Sequence, residues 1–249
     1  MFIEQCAYVN RWRPVSPAAK GLFALCGFVA AFAARQPVAG LVTTGLIFIV
    51  TLAGAGIRLV PYVRVALPAL AFLAISCLSL AFSLNPGSDG QGLALQATPA
   101  GLYQVAEVGA RSLGALAALL FLVMTTPLID LIALLRRLKT PELLLELMVL
   151  CYRMLFVFSA AVHDTLTAQS ARLGYATPRL ALRSLGGLTA NLTLQIWQRA
   201  HDLHVAAQAR NNDGPLRFLE PRFTNVRRDV ALAAVGGVVL IALTLVWPA

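Results

Sequence analysis

Long apolar runs alternate with short polar stretches along this chain. Five of the runs approach the roughly 20 residues that an α-helix rising 1.5 Å per residue needs to cross a hydrocarbon layer of about 30 Å. They are Ala18 to Ala34, Val38 to Ile57, Val60 to Leu84, Tyr103 to Thr125, and Val230 to Trp247. The second and fifth are the least interrupted. The first is short and lies between Lys20 and Arg35, whose long stems let a charge near a helix end reach the headgroups. The third carries Pro68, tolerated in a membrane helix because neighbours re-satisfy the freed carbonyl. Between the third and fourth runs, Asn85 to Ala100 is rich in turn formers and holds no Lys or Arg, so it is expected outside.

Two further segments change the count. Pro127 to Lys139 is too short to cross. Residues 141–162 are apolar enough, yet they contain Glu142, Glu146 and Arg153, and a charge at the bilayer centre costs about 2.5–3.5 kcal/mol on the insertion scale. The region 127–162 is therefore expected at the inner interface, with an ordinary sixth span as the alternative. After His163 the chain turns polar and arginine-rich. From Leu185 onward, Leu188, Leu192, Ile196, Ala200, Leu203 and Ala207 recur at steps of three and four, marking one face of a long amphipathic helix. Asn211 to Gly214 and Pro215 supply its stop signal. The expected fold is an all-α integral membrane protein of five to six transmembrane helices plus long amphipathic helices. Its expected divisions are 1–162 (membrane helices with an interfacial part), 163–229 (a polar module) and 230–249 (a last span).

Composition agrees with the pattern: 249 residues, 59% hydrophobic and 12% charged, against roughly 45–50% and 25% in soluble domains. This excludes a soluble enzyme and a disulfide scaffold. Residues 1–20 hold Glu4, Arg11, Arg13 and Lys20 without an early apolar core, so no cleavable signal is expected. The net charge of +9 is sided. With the amino terminus in the cytoplasm and five spans alternating, 18 of the 20 Lys and Arg fall inside and only Arg35 outside, with Arg111 within a span. Such asymmetry is the positive-inside rule and makes nucleic acid a poor partner. A multi-pass protein of the cell (inner) membrane is expected, with its amino terminus and polar module cytoplasmic.

Candidate chemistry is sparse. Cys6, Cys26, Cys77 and Cys151 are scattered without metal-ligand spacing, and neither a disulfide nor a cysteine metal site is expected. His201 and His204 are three apart but lack a third ligand. Glu107 and Arg111, one helical turn apart, are read as an intramembrane ion pair. Gly40, Gly45, Gly54, Gly56, Gly236 and Gly237 permit close helix contacts, internal or with a partner. No catalytic set, cofactor motif or Walker sequence occurs. What stands out is a repeat: Ala171-Arg172 and Ala209-Arg210 each end an expected helix before a turn. An arginine there is favourable beside the helix carbonyls by about 0.3–1 kcal/mol, and its guanidinium can also hold a partner's carboxylate in two parallel bonds.

These paired ends resemble the two Ala-Arg-Gly motifs of the transmembrane T component of energy-coupling factor transporters. The stretch Ile3-Glu4-Gln5-Cys6-Ala7-Tyr8-Val9-Asn10-Arg11-Trp12-Arg13, with Pro17 and Lys20, resembles the cobalt-transport CbiQ branch, as does Trp197-Gln198-Arg199-Ala200 leading to Ala206-Ala207-Gln208-Ala209-Arg210. Leu173 and Asn211 stand where the family pattern has glycine. The resemblance implies a non-enzymatic coupling subunit joining two cytoplasmic ATP-binding subunits to a membrane substrate-binding subunit, with Arg172 and Arg210 each in a groove of one ATPase. It implies no cofactor and no bound metal of its own. Cobalt is the implied cargo, with nickel or a vitamin as alternatives. A membrane-embedded lipid enzyme and a stand-alone carrier are the competing classes.

Overall fold

The computed structural model describes residues 2–34, 36–81, 83–86, 93–96, 99–211, 223 and 225–246. Among them the helices are α1 (Phe2–Val9), α2 (Pro17–Ala33), α3 (Pro37–Ile49), α4 (Leu59–Ala81), α5 (Pro99–Thr125), α6 (Leu128–Arg137), α7 (Glu142–Ala171), α8 (Pro178–Ala209) and α9 (Val226–Val246). Proline opens α2, α3 and α8, where its missing N–H is no loss. A π-helical turn, Val50–Gly54, extends α3, and Gly56 at φ +70° then reverses the chain beside Arg11. Strands β1 (Ser83–Pro86) and β2 (Leu93–Gln96) pair antiparallel, Ser83 opposite Gln96. This ladder is the one departure from helix-and-turn structure among the described residues, and Leu84, placed at the end of the third span, lies in it. Arg35, Trp247 and the stop signal at 212–215 lie outside the described residues.

The chain forms two compact units. In the first, residues 1–134 with 221–249, α5 packs against α1, α2, α3 and α4, while α9 packs on α2 and α3. One cluster of its core sets small residues, with Ile47 and Leu240, around an aromatic. Ala24, Ala30, Ala117 and Ala118 surround Phe121, which takes Trp12 and Phe23 edge-on at 5.9 and 5.1 Å between ring centroids. Within a bilayer, lipid is as apolar as leucine, so helices associate through close van der Waals packing at small residues. The expected glycine contacts are accordingly internal at Gly40 against Ala110, Gly54 against the Trp12 indole and Gly237 against Cys26, whereas Gly45 meets nothing within 4 Å. On α4, Tyr62 packs inward against Phe48, while Leu67, Phe72, Ile75 and Leu78 are exposed, as a lipid-facing helix requires.

Lys20 does not snorkel. It is 2% exposed, because its ammonium turns inward and donates to the Thr125 carbonyl at 3.0 Å. The anchoring of α2 at this end is therefore a buried hydrogen bond and not a headgroup contact.

The second unit, residues 135–220, holds α7 and α8. α7 runs unbroken through residue 163, so the division expected at 162/163 falls inside a 30-residue helix about 45 Å long. By length and composition α7 can cross a membrane, as can α4, α5, α9 and α3 with its π turn; α2, at 17 residues, is shorter. The amphipathic helix expected from Leu185 is α8, 32 residues in all. Thr177 caps it by accepting the Leu180 N–H at 3.3 Å, and Leu188 and Leu192 are its buried positions.

Candidate functional site

The two Ala-Arg helix ends have one geometry. Arg172 caps α7 at φ −93°, ψ 16°, and Arg210 caps α8 at φ −97°, ψ 9°. The following residues, Leu173 and Asn211, both adopt the left-handed conformation, at φ 55° and 51°. In α7 the Leu173 N–H donates to the Ser170 carbonyl at 3.0 Å and Gly174 N–H to Gln169 at 2.9 Å, the paired bonds of a Schellman cap. In α8 the equivalent Asn211 N–H donates to Gln208 at 2.9 Å. The turn that glycine would form is thus formed without it. Asparagine tolerates this conformation, while leucine is strained by about 1–2 kcal/mol.

Beyond Arg172, side chains fix the turn between α7 and α8. Gln169 donates to the Ser184 carbonyl at 3.0 Å and accepts the Tyr175 hydroxyl at 2.7 Å, and Ser184 donates to the Gly174 carbonyl at 2.9 Å. A side chain at Gly174 would stand 2.7 Å from the Ser184 hydroxyl, so that position has no room for one. Arg172 and Arg210 are exposed and lie at opposite ends of α8, whose 32 residues span about 48 Å. The arrangement offers two separate, similarly presented guanidinium groups, one closing α7 and one closing α8, each able to bind a carboxylate in bidentate fashion.

α7 and α8 also enclose a cleft of about 720 Å3. Its floor includes Met154, Phe158, Leu192 and Leu203, and its polar lining consists of Arg153, Gln195, Arg199, His204 and Arg210. No acid lines it. Along the sequence Arg153 marks a charge that disfavours a full crossing, and His204 stands three residues from His201; periodicity along one helix cannot show which residues of another helix face it.

A third feature went unread in the sequence: the junction between α5 and α6. Asp130, 1% exposed, accepts the Arg13 guanidinium at 2.7 Å through Oδ2. Asn10 donates to the carbonyls of Ala7 and Thr125 at 2.8 and 3.0 Å, and Lys20 donates to the same Thr125 carbonyl. The Ser16 N–H donates to Asp229 of α9 at 3.1 Å. Burial pushes the Asp130 carboxyl above its usual range, opposed by the Arg13 and Lys20 charges and the Arg13 hydrogen bond. Four amino-terminal residues therefore hold the end of α5 and the starts of α6 and α9. One available signal was an acid, Asp130, on the apolar-periodic stretch Leu128–Leu135, where an unpaired charge would be costly to bury.

Glu107 and Arg111 do form an ion pair, at 2.7 Å within α5. Among the described residues no three His, Cys, Asp or Glu side chains gather into a metal-binding group, and all four cysteines are free thiols.

Comparison with known proteins gives one direction. Residues 9–219 match the family model described as CbiQ, cobalt transport protein. The chain is similar to the cobalt transport protein CbiQ of Rhodobacter capsulatus, 37% identical over 221 residues that cover 88% of each chain. The CbiQ of Salmonella typhimurium is 31% identical over 79% of this chain and 90% of its own. A putative fused cobalt transport protein, CbiMQ, of Methanocorpusculum labreanum is 32% identical over 50% of this chain and 21% of its own length. A helical, multi-pass chain matched over most of its length in this way belongs to the CbiQ cobalt transport protein family.

Proposed function

We propose that this chain is the transmembrane T component of an energy-coupling-factor importer for cobalt ions. It is a coupling subunit and not an enzyme: it joins two cytoplasmic ATP-binding subunits to a membrane substrate-binding subunit, and ATP is hydrolysed on the partners. The observation that carries the reading is the pair of Ala-Arg helix ends with matched backbone geometry, set at opposite ends of α8. Each exposed arginine suits one ATPase subunit, and a stiff helix between them suits transmission of ATPase closure as a rigid-body movement. A fused CbiMQ relative supports a membrane partner.

In this reading the protein sits in the cell inner membrane with its amino terminus and 163–229 in the cytoplasm. The sidedness of the arginines supports this orientation. It also keeps α7 at the inner face despite its length, since Arg136 to Lys139 before it and Arg172 after it then share one side. Co-purification of the ATP-binding subunits with wild type and with an Arg172→Ala/Arg210→Ala double variant tests the assignment. The variant is expected to lose ATPase association and ATP-driven cobalt uptake while retaining its own fold. Normal assembly and uptake by the double variant would remove the coupling role from these arginines.

A further inference from the structure

We propose that the cleft between α7 and α8 binds one anionic phospholipid, its phosphate held between Arg153 of α7 and Arg199 of α8 and its acyl chain laid along the apolar floor. This goes beyond the coupling role and rests on that reading only for the placement of α7 and α8 at the cytoplasmic face of the membrane. Arg210, at the end of α8, stays assigned to the ATPase contact.

The chemistry of the lining selects the occupant. Among the described residues its charged groups are all arginines, Arg153, Arg199 and Arg210, with Gln195 and His204 the other polar side chains, and no carboxylate lines it. Both Arg153 and Arg199 are exposed, and neither has an ion pair or hydrogen bond among the described residues. Two guanidinium groups contributed by separate helices favour an anion that can accept from both, and phosphate is the group whose geometry arginine matches. A free phosphate would leave the floor of Met154, Phe158, Leu192, Ile196 and Leu203 in contact with water. The floor calls for an apolar tail on the same molecule as the anion. At about 720 Å3 the cleft lies within the roughly 300–1,000 Å3 of small-molecule sites. Anionic lipids are the amphiphiles that basic pockets between helices collect on the cytoplasmic side of a membrane. A phosphate bridging Arg153 and Arg199 would also tie α7 to α8 across the cleft, away from the Gln169–Ser184 contact that joins them near the turn.

The test is native mass spectrometry of the full-length chain, purified and delipidated in detergent, then titrated with phosphatidylglycerol, phosphatidylcholine of the same acyl composition, and soluble glycerol phosphate. Phosphatidylglycerol is expected to bind at least tenfold more tightly than phosphatidylcholine, and glycerol phosphate not to displace it. Each arginine near an anionic lipid is worth about fivefold in affinity, so Arg153→Gln/Arg199→Gln should weaken phosphatidylglycerol about 25-fold and phosphatidylcholine, whose choline cation offsets its phosphate, by much less. Arg183→Gln, an exposed α8 position outside the cleft lining, should change neither. Each single variant should show its share if the double variant expresses poorly. Equal binding of the two lipids, an unaltered preference in the double variant, or displacement by glycerol phosphate would overturn the proposal. So would loss of a co-purifying membrane protein from the double variant with lipid binding intact, which would assign the cleft to an acidic protein surface.

Discussion

Breaking the Arg13–Asp130 pair from its two sides should have unequal consequences, and the burial of the partners sets the inequality. The Asp130 side chain is 2% exposed and that of Arg13 36%. Arg13→Met leaves a carboxylate buried without its main counter-charge, which costs about 3–5 kcal/mol. The lower end is expected, because Lys20 still acts on Asp130. The guanidinium also lies over the Tyr8 ring at 4.6 Å from its centroid, adding about 0.5–1 kcal/mol to the loss. Asp130→Asn removes the same 2.7 Å contact but leaves Arg13 half in solvent, where water takes over, at about 1 kcal/mol. The double variant Arg13→Met/Asp130→Asn should therefore be more stable than Arg13→Met alone. Acid should narrow the gap as well. The Asp130 carboxyl is raised above its ordinary value, and loss of Arg13 raises it further. The native state then holds a proton that the unfolded state has released, and the associated stability is present in acid and lost as pH rises through the raised value. The Arg13→Met deficit should be largest at neutral pH and shrink on acidification. Equilibrium unfolding of the purified protein in mixed micelles, followed by tryptophan fluorescence at two pH values, reads all four proteins. An Asp130→Asn variant less stable than Arg13→Met, or single effects that simply add in the double variant, would refute the reasoning.

The strained cap after Arg172 gives a second prediction: Leu173→Gly relieves a left-handed leucine and should stabilise the protein by about 1 kcal/mol, measured as a rise in thermal midpoint, while Asn211→Gly gains less. Helix contact in the membrane gives a third. A Cβ at Gly237 would stand 2.6 Å from the Cys26 side chain, whereas one at Gly45 meets nothing within 4 Å; Gly237→Val should cost about 1–3 kcal/mol by overpacking and Gly45→Ala should not destabilise, compared by the same thermal assay. A fourth concerns the Gly174 turn, where no room exists beside Ser184: Gly174→Val should lower the thermal midpoint, and Gly187→Ala, inside α8 with its nearest neighbour 3.9 Å away, should raise it slightly.

The sequence by itself determined the class and most of the helices. A run of apolar residues long enough for a bilayer carries its own instruction, because backbone groups in lipid must bond within the segment; the first run matches α2 to within one residue at each end, the second and third begin one residue inside α3 and α4, the third ends in β1, and the fourth and fifth begin four residues inside α5 and α9. The Ala-Arg repeat was legible for a similar reason, since a helix end is a local event written in a few adjacent residues. Even there, sequence left open whether Leu173 and Asn211 could replace glycine, and only the backbone placed both in the left-handed region. What depended on two distant segments was not legible. Lys20, by its position a headgroup contact, instead meets the Thr125 carbonyl, and Asp130, unmarked along its own segment, meets Arg13 only through packing. Arg153 and Arg199, 46 positions apart, became one site only when α7 and α8 were laid side by side. Periodicity gives each helix a face, but the partner of that face is set by packing, and charge pairing across packed helices is a property of the tertiary structure alone.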